Sequence, residues 1–266
     1  MKLLFSETHS DYSHYIFPYA IWAVPETQDK VSDFFNRGFL PGSRNMDRYY
    51  LCRQIRVHLS EFSPSSENRR ILRKGEGITA QLLKREDFSW NTKWRRFCKQ
   101  YADIKFGYNV MTNARLDRLF SSPVVSHIML FRDEAKDADV GIVTLYIDSP
   151  DMAYYYYAFY DLNYFKRNLG MYMMTRTVAD MQERGIDYLY LGTCYSRNAL
   201  YKIQFNGAEF FNGFAWSRNM NELKYLLKRD GKVLDKHLLE TEEFVSSYYQ
   251  DSFQQLVDKS IFRLDG

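Results

Sequence analysis

The sequence predicts a mixed α+β / α/β fold, with a mixed sheet flanked by helices and a smaller N-terminal α+β lobe. First, residues 152–211 alternate strand, loop, helix, strand and helix patterns, and such a βαβα unit predicts parallel strands joined by a right-handed crossover. Second, residues 124–160 contain successive strand patterns around a charged, hairpin-like loop. Third, short apolar runs and helical spacings fill residues 1–120. We therefore predict an N-terminal lobe at residues 1–120 and a C-terminal domain at residues 121–266.

The N-terminal lobe is expected to begin with short extended segments. KLLFS at residues 2–6 is a short apolar strand, and Tyr15–Trp22 is an edge strand because its proline cannot donate to a ladder. Pro25–Arg37 is predicted to be a helix that ends at a glycine. Tyr49–Phe62 alternates apolar and polar residues and is predicted to be one strand.

A basic cluster follows in the segment SSENRRILRKGEG, which reads as a polar loop. It contains Arg69, Arg70, Arg73 and Lys74, which form either a solvated face or a surface that contacts phosphates. Ile78–Arg118 has helical spacing and is predicted to form two or three helices. Within it, Trp90, Trp94, Phe97 and Tyr101 share one helical face, which favours a core position over a ligand site.

The C-terminal domain is predicted from strands with distinct compositions. The nearly all-aromatic run Met152–Tyr160 suits a strand buried on both faces. The loop Asp161–Asn168 then leads into a helix, and such a helix start binds anions through free backbone N–H groups. The other predicted elements are strands at Val124–Phe131, Val140–Asp148, Asp187–Cys194 and Phe214–Trp216, and helices at Leu169–Arg184, Ser196–Phe205, Asn221–Tyr249 and Ser252–Arg263.

Composition indicates a globular protein. Of the 266 residues, 45% are hydrophobic and 26% are charged, which is too apolar for a disordered chain. The net charge of +3 does not by itself indicate a nucleic-acid partner. The three cysteines lie far apart, which argues against a disulfide framework and favours a reducing compartment. No segment is long and apolar enough for a signal peptide or a membrane span, so we expect a cytoplasmic protein without a membrane partner.

The order of elements around the aromatic strand resembles the GNAT acyltransferase fold. Arg167-Asn-Leu-Gly170 is similar to the loop that binds coenzyme A pyrophosphate in that family, and Asn198-Ala-Leu-Tyr201 is similar to the segment whose tyrosine protonates the leaving group. Tyr172 stands where that loop usually has a small residue, so we expect its side chain to crowd a pyrophosphate.

A second family resemblance is closer. Phe159-Tyr160-Asp161, Leu169-Gly170-Met-Tyr172, Tyr190-Leu191-Gly192 and Tyr201-Lys202-x-x-Phe205-x-Gly207-x-Glu209 occur in the order found in arginyl-tRNA–protein transferases and bacterial leucyl-tRNA–protein transferases. Arg56-Val57, Phe62-Ser-Pro64 and Arg69-Arg70 are similar to that family's N-terminal series. The chain lacks most of the family's N-terminal cysteines, because only Cys52 falls at a matching position. One thiolate cannot hold a metal cluster, so no metal site is expected.

The resemblance implies particular roles for the matching residues. Tyr201, Lys202, Asp161 and Glu209 are the predicted catalytic residues: Tyr201 as acid or hydrogen-bond donor, Lys202 for an acidic group on the acceptor or for the donor backbone, and the carboxylates for the acceptor ammonium. Arg167, Asn168, Leu169, Gly170, Met171 and Tyr172 are the predicted donor-binding residues. Arg69, Arg70, Arg73 and Lys74 are possible tRNA contacts. As alternatives, Asp161 only makes a loop turn, Glu209 only pairs with Lys202, and Tyr201 only fills the core.

The function implied by the resemblance is transfer of an amino acid from a charged tRNA to the N-terminal amine of a protein, as in the N-end rule. Charged tRNA and protein N-termini are then the partners, and no permanently bound cofactor is expected. One alternative is a coenzyme A-dependent GNAT-type N-acyltransferase that uses acyl-CoA as donor. Another is a non-catalytic protein that retains the fold.

Overall fold

The computed structural model describes residues 1–7, 19–232, 237–250 and 252–262. Part of the predicted strand Tyr15–Trp22 and the end of the predicted helix Ser252–Arg263 lie outside these residues. The strands are β1 (Lys2–Glu7), β2 (Tyr19–Val24), β3 (Phe39–Pro41), β4 (Tyr49–Leu51), β5 (Gln54–His58), β6 (Ile78–Lys84), β7 (His127–Asp133), β8 (Ala138–Asp148), β9 (Met152–Tyr160), β10 (Tyr188–Thr193), β11 (Ala208–Phe211) and β12 (Trp216–Ser217). The helices are α1 (Val31–Asn36), α2 (Ser66–Lys74), α3 (Thr92–Lys105), α4 (Asn113–Phe120), α5 (Leu169–Glu183), α6 (Met220–Arg229), α7 (Glu242–Tyr249) and α8 (Phe253–Lys259).

An eight-stranded mixed sheet organises the fold, in the order β12-β11-β5-β10-β9-β8-β7-β6. Strands β6 to β9 form an antiparallel meander. After α5 crosses over, β10 pairs parallel with β9. A smaller sheet has the order β1-β2-β4-β3. The predicted mixed α+β architecture is confirmed, including the parallel pair and the helix that joins it.

Two hydrophobic clusters cover the large sheet. One contains the apolar residues of α5, including Met173 and Val178, together with Ile71 of α2. The other contains Phe34 and Phe35 of α1 with the apolar faces of α3 and α4. Successive residues of a strand point to opposite faces, and alternate residues of β9 accordingly belong to the two clusters over its first half.

Two segments form different elements from those predicted. Ile78–Lys84 is strand β6 rather than part of a helix, because it pairs along its whole length with β7. The predicted polar loop that contains the basic cluster is helix α2. Ser65 caps it: its Oγ accepts from Asn68 N at 3.1 Å, and Asn68 Oδ1 accepts from Ser65 N at 3.1 Å.

Several predicted elements are shorter than expected or interrupted. The predicted strand Tyr49–Phe62 is divided into β4 and β5, because Cys52 N leaves the ladder to donate to Gly38 O at 3.1 Å. Only Val31–Asn36 of the predicted helix Pro25–Arg37 is helical. The predicted helix Ser196–Phe205 is a 3-10 segment, Arg197–Ile203. The predicted helix Asn221–Tyr249 contains α6 and α7, with residues between them outside the described part of the chain.

The division at residue 120 stays a prediction. Strands β5 and β6, which precede that residue, are members of the large sheet, and β5 lies between β10 and β11. Both predicted parts of the chain therefore contribute strands to the same sheet. No helix among the described residues is long and apolar enough to cross a membrane.

Candidate active site

A cleft of about 850 Å³ opens where β9 and β10 separate. The two strands pair only from Tyr188 to Tyr190, opposite Met152 to Tyr154. Beyond these pairs β10 stays with β5 as far as Thr193, whereas β9 stays with β8. The second half of β9 therefore forms one wall of a gap in the sheet.

Aromatic side chains form much of the cleft wall, and a β-bulge sets their direction. Leu145 pairs with Tyr155 and Thr144 pairs with Tyr157, so Tyr156 is an additional residue in β9. Because a bulge redirects side chains, Tyr156 and Tyr157 both pack against the cluster that contains α3 and α4. Their rings lie 4.7 Å apart and both line the cleft.

The first turn of α5 lies in the cleft. Asn168, Leu169, Gly170 and Met171 line it, and their role in donor binding stays a prediction. Asn168 has a φ of 56° and gives α5 no side-chain cap. The N–H groups of Leu169, Gly170 and Met171 are the first-turn donors that a helix leaves without a backbone partner. This helix start can therefore interact with an anionic group.

Gly170 also allows an aromatic ring to approach α5 closely. A Cβ atom at Gly170 would lie 2.8 Å from Cε1 of Tyr160, so a larger residue would displace this ring. The Tyr160 ring in turn lies 4.7 Å from the ring of Tyr101 on α3. The side chain that approaches Gly170 is thus a cleft tyrosine.

Tyr201 and Lys202 both line this cleft, and their catalytic roles stay predictions. Tyr201 is 44% exposed, and burial followed by the nearby Tyr160 raises the pKa of its hydroxyl. It therefore stays protonated at neutral pH and can donate a hydrogen bond. Lys202 Nζ donates to Thr193 O at 2.9 Å, and burial lowers the pKa of its ammonium, partly offset by Cys194.

The charge of the cleft is positive. Lys105 and Lys202 line it, and no aspartate or glutamate does so within the part of the chain that the structure describes. With the α5 helix start, these ammonium groups favour a ligand with negative charge. The tyrosines and phenylalanines offer stacking surfaces for a flat ring.

Arg167 and Tyr172 were predicted to meet the donor, but their side chains bind elsewhere. Arg167 Nε donates to Lys74 O at 3.0 Å and Nη2 donates to Glu76 O at 2.5 Å, so the guanidinium group binds the end of α2. Tyr172 Oη donates to Ile78 O at 2.6 Å, and its amide donates to Asn168 O. The expected crowding by Tyr172 is wrong, because its ring packs on Gly75 away from the cleft.

The two predicted catalytic carboxylates do not line the cleft. Asp161 Oδ1 accepts from Asn163 N at 2.9 Å, which is a loop-turn contact. Glu209 Oε1 accepts from Arg56 Nε at 2.6 Å, and both residues are buried. The partner of Glu209 is therefore Arg56 on the adjacent strand rather than Lys202.

The predicted tRNA contacts on α2 line neither this cleft nor the second cavity described below. Arg69 Nη1 donates to Pro64 O at 2.6 Å, and Arg70 forms an exposed ion pair with Glu67. Their role in RNA binding stays a prediction, as it does for Arg73 and Lys74.

Sequence reasoning missed several cleft residues. Tyr101 and Lys105 reach the cleft from α3, although Tyr101 belongs to a helical face that was interpreted as core. Tyr156 and Tyr157 were interpreted as residues of a strand buried on both faces. A useful signal was the run of four tyrosines at residues 154–157, because so many hydroxyl groups are unusual in a fully apolar position.

Comparison with known proteins finds a family similarity over part of the chain. Residues 86–212 match the model for the C terminus of arginine-tRNA-protein transferases. This stretch contains β9, α5 and β10, which form the cleft. This match spans 127 of the 266 residues, so just under half of the chain is similar to the arginine-tRNA-protein transferase family. The predicted family resemblance is thereby confirmed.

Proteins similar to this chain include several that are named aspartate/glutamate leucyltransferase. The protein of Chromobacterium violaceum is 23% identical over 176 residues, covering 64% of this chain and 70% of the relative. The Dinoroseobacter shibae protein is 26% identical over 184 residues, covering 62% of each. The Granulibacter bethesdensis protein is 28% identical over 173 residues, also covering 62% of each. The matched stretch thus spans less than two thirds of the latter two relatives.

Solved structures with some likeness include a GCN5-related N-acetyltransferase from Sphaerobacter thermophilus, with a TM-score of 0.36 and 13% identity over 65% of this chain and 51% of that one. L-PGS from Bacillus licheniformis has a TM-score of 0.39 and 13% identity, over 70% of this chain and 66% of that one.

Proposed function

We propose that this protein transfers an amino acid from a charged tRNA to the N-terminal amine of a protein. The observation that carries the proposal is the composition of the cleft between β9 and β10. It joins Tyr201, Lys202 and the α5 helix start within aromatic walls, without a carboxylate among the described lining residues. The family match and the named leucyltransferase relatives support the same reaction class.

The chemical groups at the donor end of the tRNA match the groups that line this cleft. A terminal nucleoside can stack on the exposed tyrosine rings, and an anionic oxygen can accept from the first-turn N–H groups of α5. Because Lys105 and Lys202 are positive, the cleft attracts an RNA end rather than repelling it.

The chemical step needs few protein groups, since an aminoacyl ester is already activated. The acceptor amine nitrogen attacks the ester carbonyl, a C–N bond forms and the C–O bond to the ribose breaks. The attacking nitrogen loses a proton to solvent, and the departing ribose oxygen takes up a proton from solvent and leaves as a hydroxyl. Tyr201 donates a hydrogen bond to this departing oxygen, while Lys202 attracts a carboxylate on an acidic N-terminal residue.

A donor-exchange assay tests the proposal. Purified protein is incubated with peptides that begin with aspartate, glutamate or alanine, and with leucyl-tRNA, arginyl-tRNA or acetyl-CoA as donor. We expect an amino acid, but no acetyl group, to appear on the N-terminus, with acidic peptides preferred over the alanine peptide. Acetyl transfer without aminoacyl transfer would instead support a coenzyme A-dependent acyltransferase and reject the proposal.

A further inference from the structure

A second cavity, of about 770 Å³, adjoins the cleft and is strongly basic. Four arginines line it: Arg44 and Arg48 from the loop after β3, and Arg115 and Arg118 from α4. Among the described residues, one carboxylate, that of Asp47, also lines it. With four arginines and one aspartate, the side chains that line this cavity carry a net charge of +3. The formal net charge of the whole chain is also +3. We call this cavity the arginine pocket.

These arginines retain hydrogen-bond donors for a ligand. Arg115 Nη1 donates to Val110 O at 3.1 Å, and Arg118 Nε donates to Ala114 O at 3.1 Å. Across the described ranges, none of the pocket's four arginines forms an ion pair with a carboxylate. A guanidinium group has five N–H donors, so each of these backbone contacts leaves others available. An arginine near a helix end can merely offset the helix dipole, but this does not explain the two arginines from the separate loop.

The loop that carries two of the arginines is fixed against α4. Ser122, which is buried, donates from Oγ to Arg44 O at 2.7 Å. The carboxylate of Asp47 accepts from Ser43 Oγ at 2.5 Å, so a bond within the loop already engages the pocket's one acidic group. The guanidinium groups therefore extend from a braced backbone, which lowers the entropy lost when they bind.

Two tyrosines connect the arginine pocket to the cleft. Tyr156 and Tyr157 line both cavities, so the β9 bulge forms a shared wall. Burial and the neighbouring Tyr157 raise the pKa of Tyr156 to about 12, while Arg44 and Arg115 act in the opposite direction. Arg44 from the loop and Arg115 from α4 thus both act electrostatically on Tyr156, which also lines the cleft.

We propose that the arginine pocket binds the phosphodiester backbone of the donor RNA beside its aminoacylated end. Arginine binds phosphate oxygens with paired, charge-assisted hydrogen bonds, and single-stranded RNA uses basic grooves interleaved with aromatic stacking surfaces. The terminal nucleoside then lies in the cleft and the preceding phosphates lie in the pocket. This inference rests on the proposed function, because it assigns a phosphate-binding site to the same donor.

Salt-dependent RNA binding tests the inference. The probe is a short single-stranded RNA ending in CCA, and its affinity is measured at several salt concentrations. For Arg115→Gln/Arg118→Gln, we expect the slope of log K against log salt to become shallower by about 1.4. Each lost contact with a phosphate of a single strand accounts for about 0.7 of this change. Arg115→Lys/Arg118→Lys should retain most of the slope but bind more weakly, because lysine cannot form the paired bonds.

Matched variants separate this pocket from general charge. Lys224→Gln/Lys228→Gln removes two exposed charges from α6, outside both the cleft and the arginine pocket, and should keep the original slope. Arg44→Gln repeats the test from the loop, and thermal unfolding checks that each variant folds. An unchanged slope and affinity in folded Arg115→Gln/Arg118→Gln and Arg44→Gln would overturn the inference. So would an equal loss of slope in the Lys224/Lys228 control.

The transfer assay distinguishes the two proposals. Aminoacyl transfer by a protein whose RNA affinity is insensitive to the pocket substitutions would reject the arginine pocket and keep the proposed function. Pocket-dependent RNA binding by a protein that transfers no amino acid would support the pocket and reject the proposed function.

Discussion

Lys202 is the half-buried cation of the cleft, and its environment gives the reaction a pH dependence. Burial lowers the pKa of its ammonium below the usual 10.5, partly offset by Cys194, so its positive charge is lost at a lower pH than that of an exposed lysine. The acceptor amine must lose its own proton, which occurs near pH 8. We expect kcat/KM for an acidic acceptor peptide to rise as the pH approaches about 8. At higher pH it should decline again, and this decline should occur at a pH lower than the ordinary lysine pKa.

Replacement by arginine provides the control for this profile. Arginine stays charged over the accessible pH range, so Lys202→Arg should lose the alkaline fall, whereas Lys202→Gln should raise the KM for acidic peptides at every pH. An alkaline limb that persists unchanged in Lys202→Arg would show that another group titrates.

Glu209 is predicted to stabilise the sheet rather than to act on substrate. It lies in a buried ion pair with Arg56, at the point where β11 pairs with β5. Removing one partner leaves an uncompensated buried charge, so Glu209→Gln should lower the free energy of unfolding by about 3–5 kcal/mol. Denaturant unfolding measures this loss, and the folded variant should keep the kcat of the original protein. A lower kcat with unchanged stability would restore a catalytic role.

The sequence predicted residue identities in the cleft better than residue contacts. Tyr201 and Lys202 are adjacent in the chain, so a local motif sufficed to place them together. The partners of Glu209 and Arg167 come from residues far away in the chain, namely Arg56 and the end of α2. Such pairings depend on strand order and helix packing, which short motifs do not specify.

At the scale of elements, the start of α5 and the end of β9 form one unit. Gly170→Ala should force the Tyr160 ring to move, because the added Cβ would lie 2.8 Å from ring atom Cε1. Small displacements of a binding surface can greatly reduce rates, so we expect kcat/KM for the donor to fall by about 10- to 100-fold. Steady-state kinetics at varied donor concentration measure this effect.

Gly231→Ala is a suitable control for that substitution. Among the residues that the structure describes, its added Cβ would meet only Lys228 O, at an ordinary contact distance of 3.6 Å. It should leave donor kinetics unchanged. Normal donor kinetics in Gly170→Ala would mean that the contact between Tyr160 and α5 does not shape the donor site.

Local patterns predicted the central elements and failed where tertiary pairing decides. The aromatic strand, α5 and β10 follow strong composition and periodicity. Ile78–Lys84 became a strand because β7 offers an unpaired edge, and no feature within the segment reveals that partner. The gap between β9 and β10 arises because β10 follows β5, which lies more than 90 residues earlier in the chain than β9.

At the scale of the molecule, the large sheet depends on strands from both predicted parts of the chain. A fragment of residues 121–266 would lack β5 and β6. Strands β7 and β10 would then have unpaired edges, and β11 would lose β5 and keep only β12 as a neighbour. We expect the fragment to show no cooperative thermal unfolding, in contrast to the full chain. Cooperative unfolding of the fragment, followed by circular dichroism, would support independent lobes.

The proposed function requires that aminoacyl transfer takes place in the cleft between β9 and β10. The most direct measurement is the single-turnover rate at which a labelled amino acid passes from charged tRNA to an acidic N-terminal peptide, compared between the original protein and Tyr201→Phe. Loss of one hydrogen bond to the departing oxygen should slow transfer by about 100-fold with little change in donor affinity. Tyr108→Phe, at an exposed tyrosine outside the cleft, should keep the original rate. Equal rates in all three proteins, or no transfer by the original protein, would contradict the account.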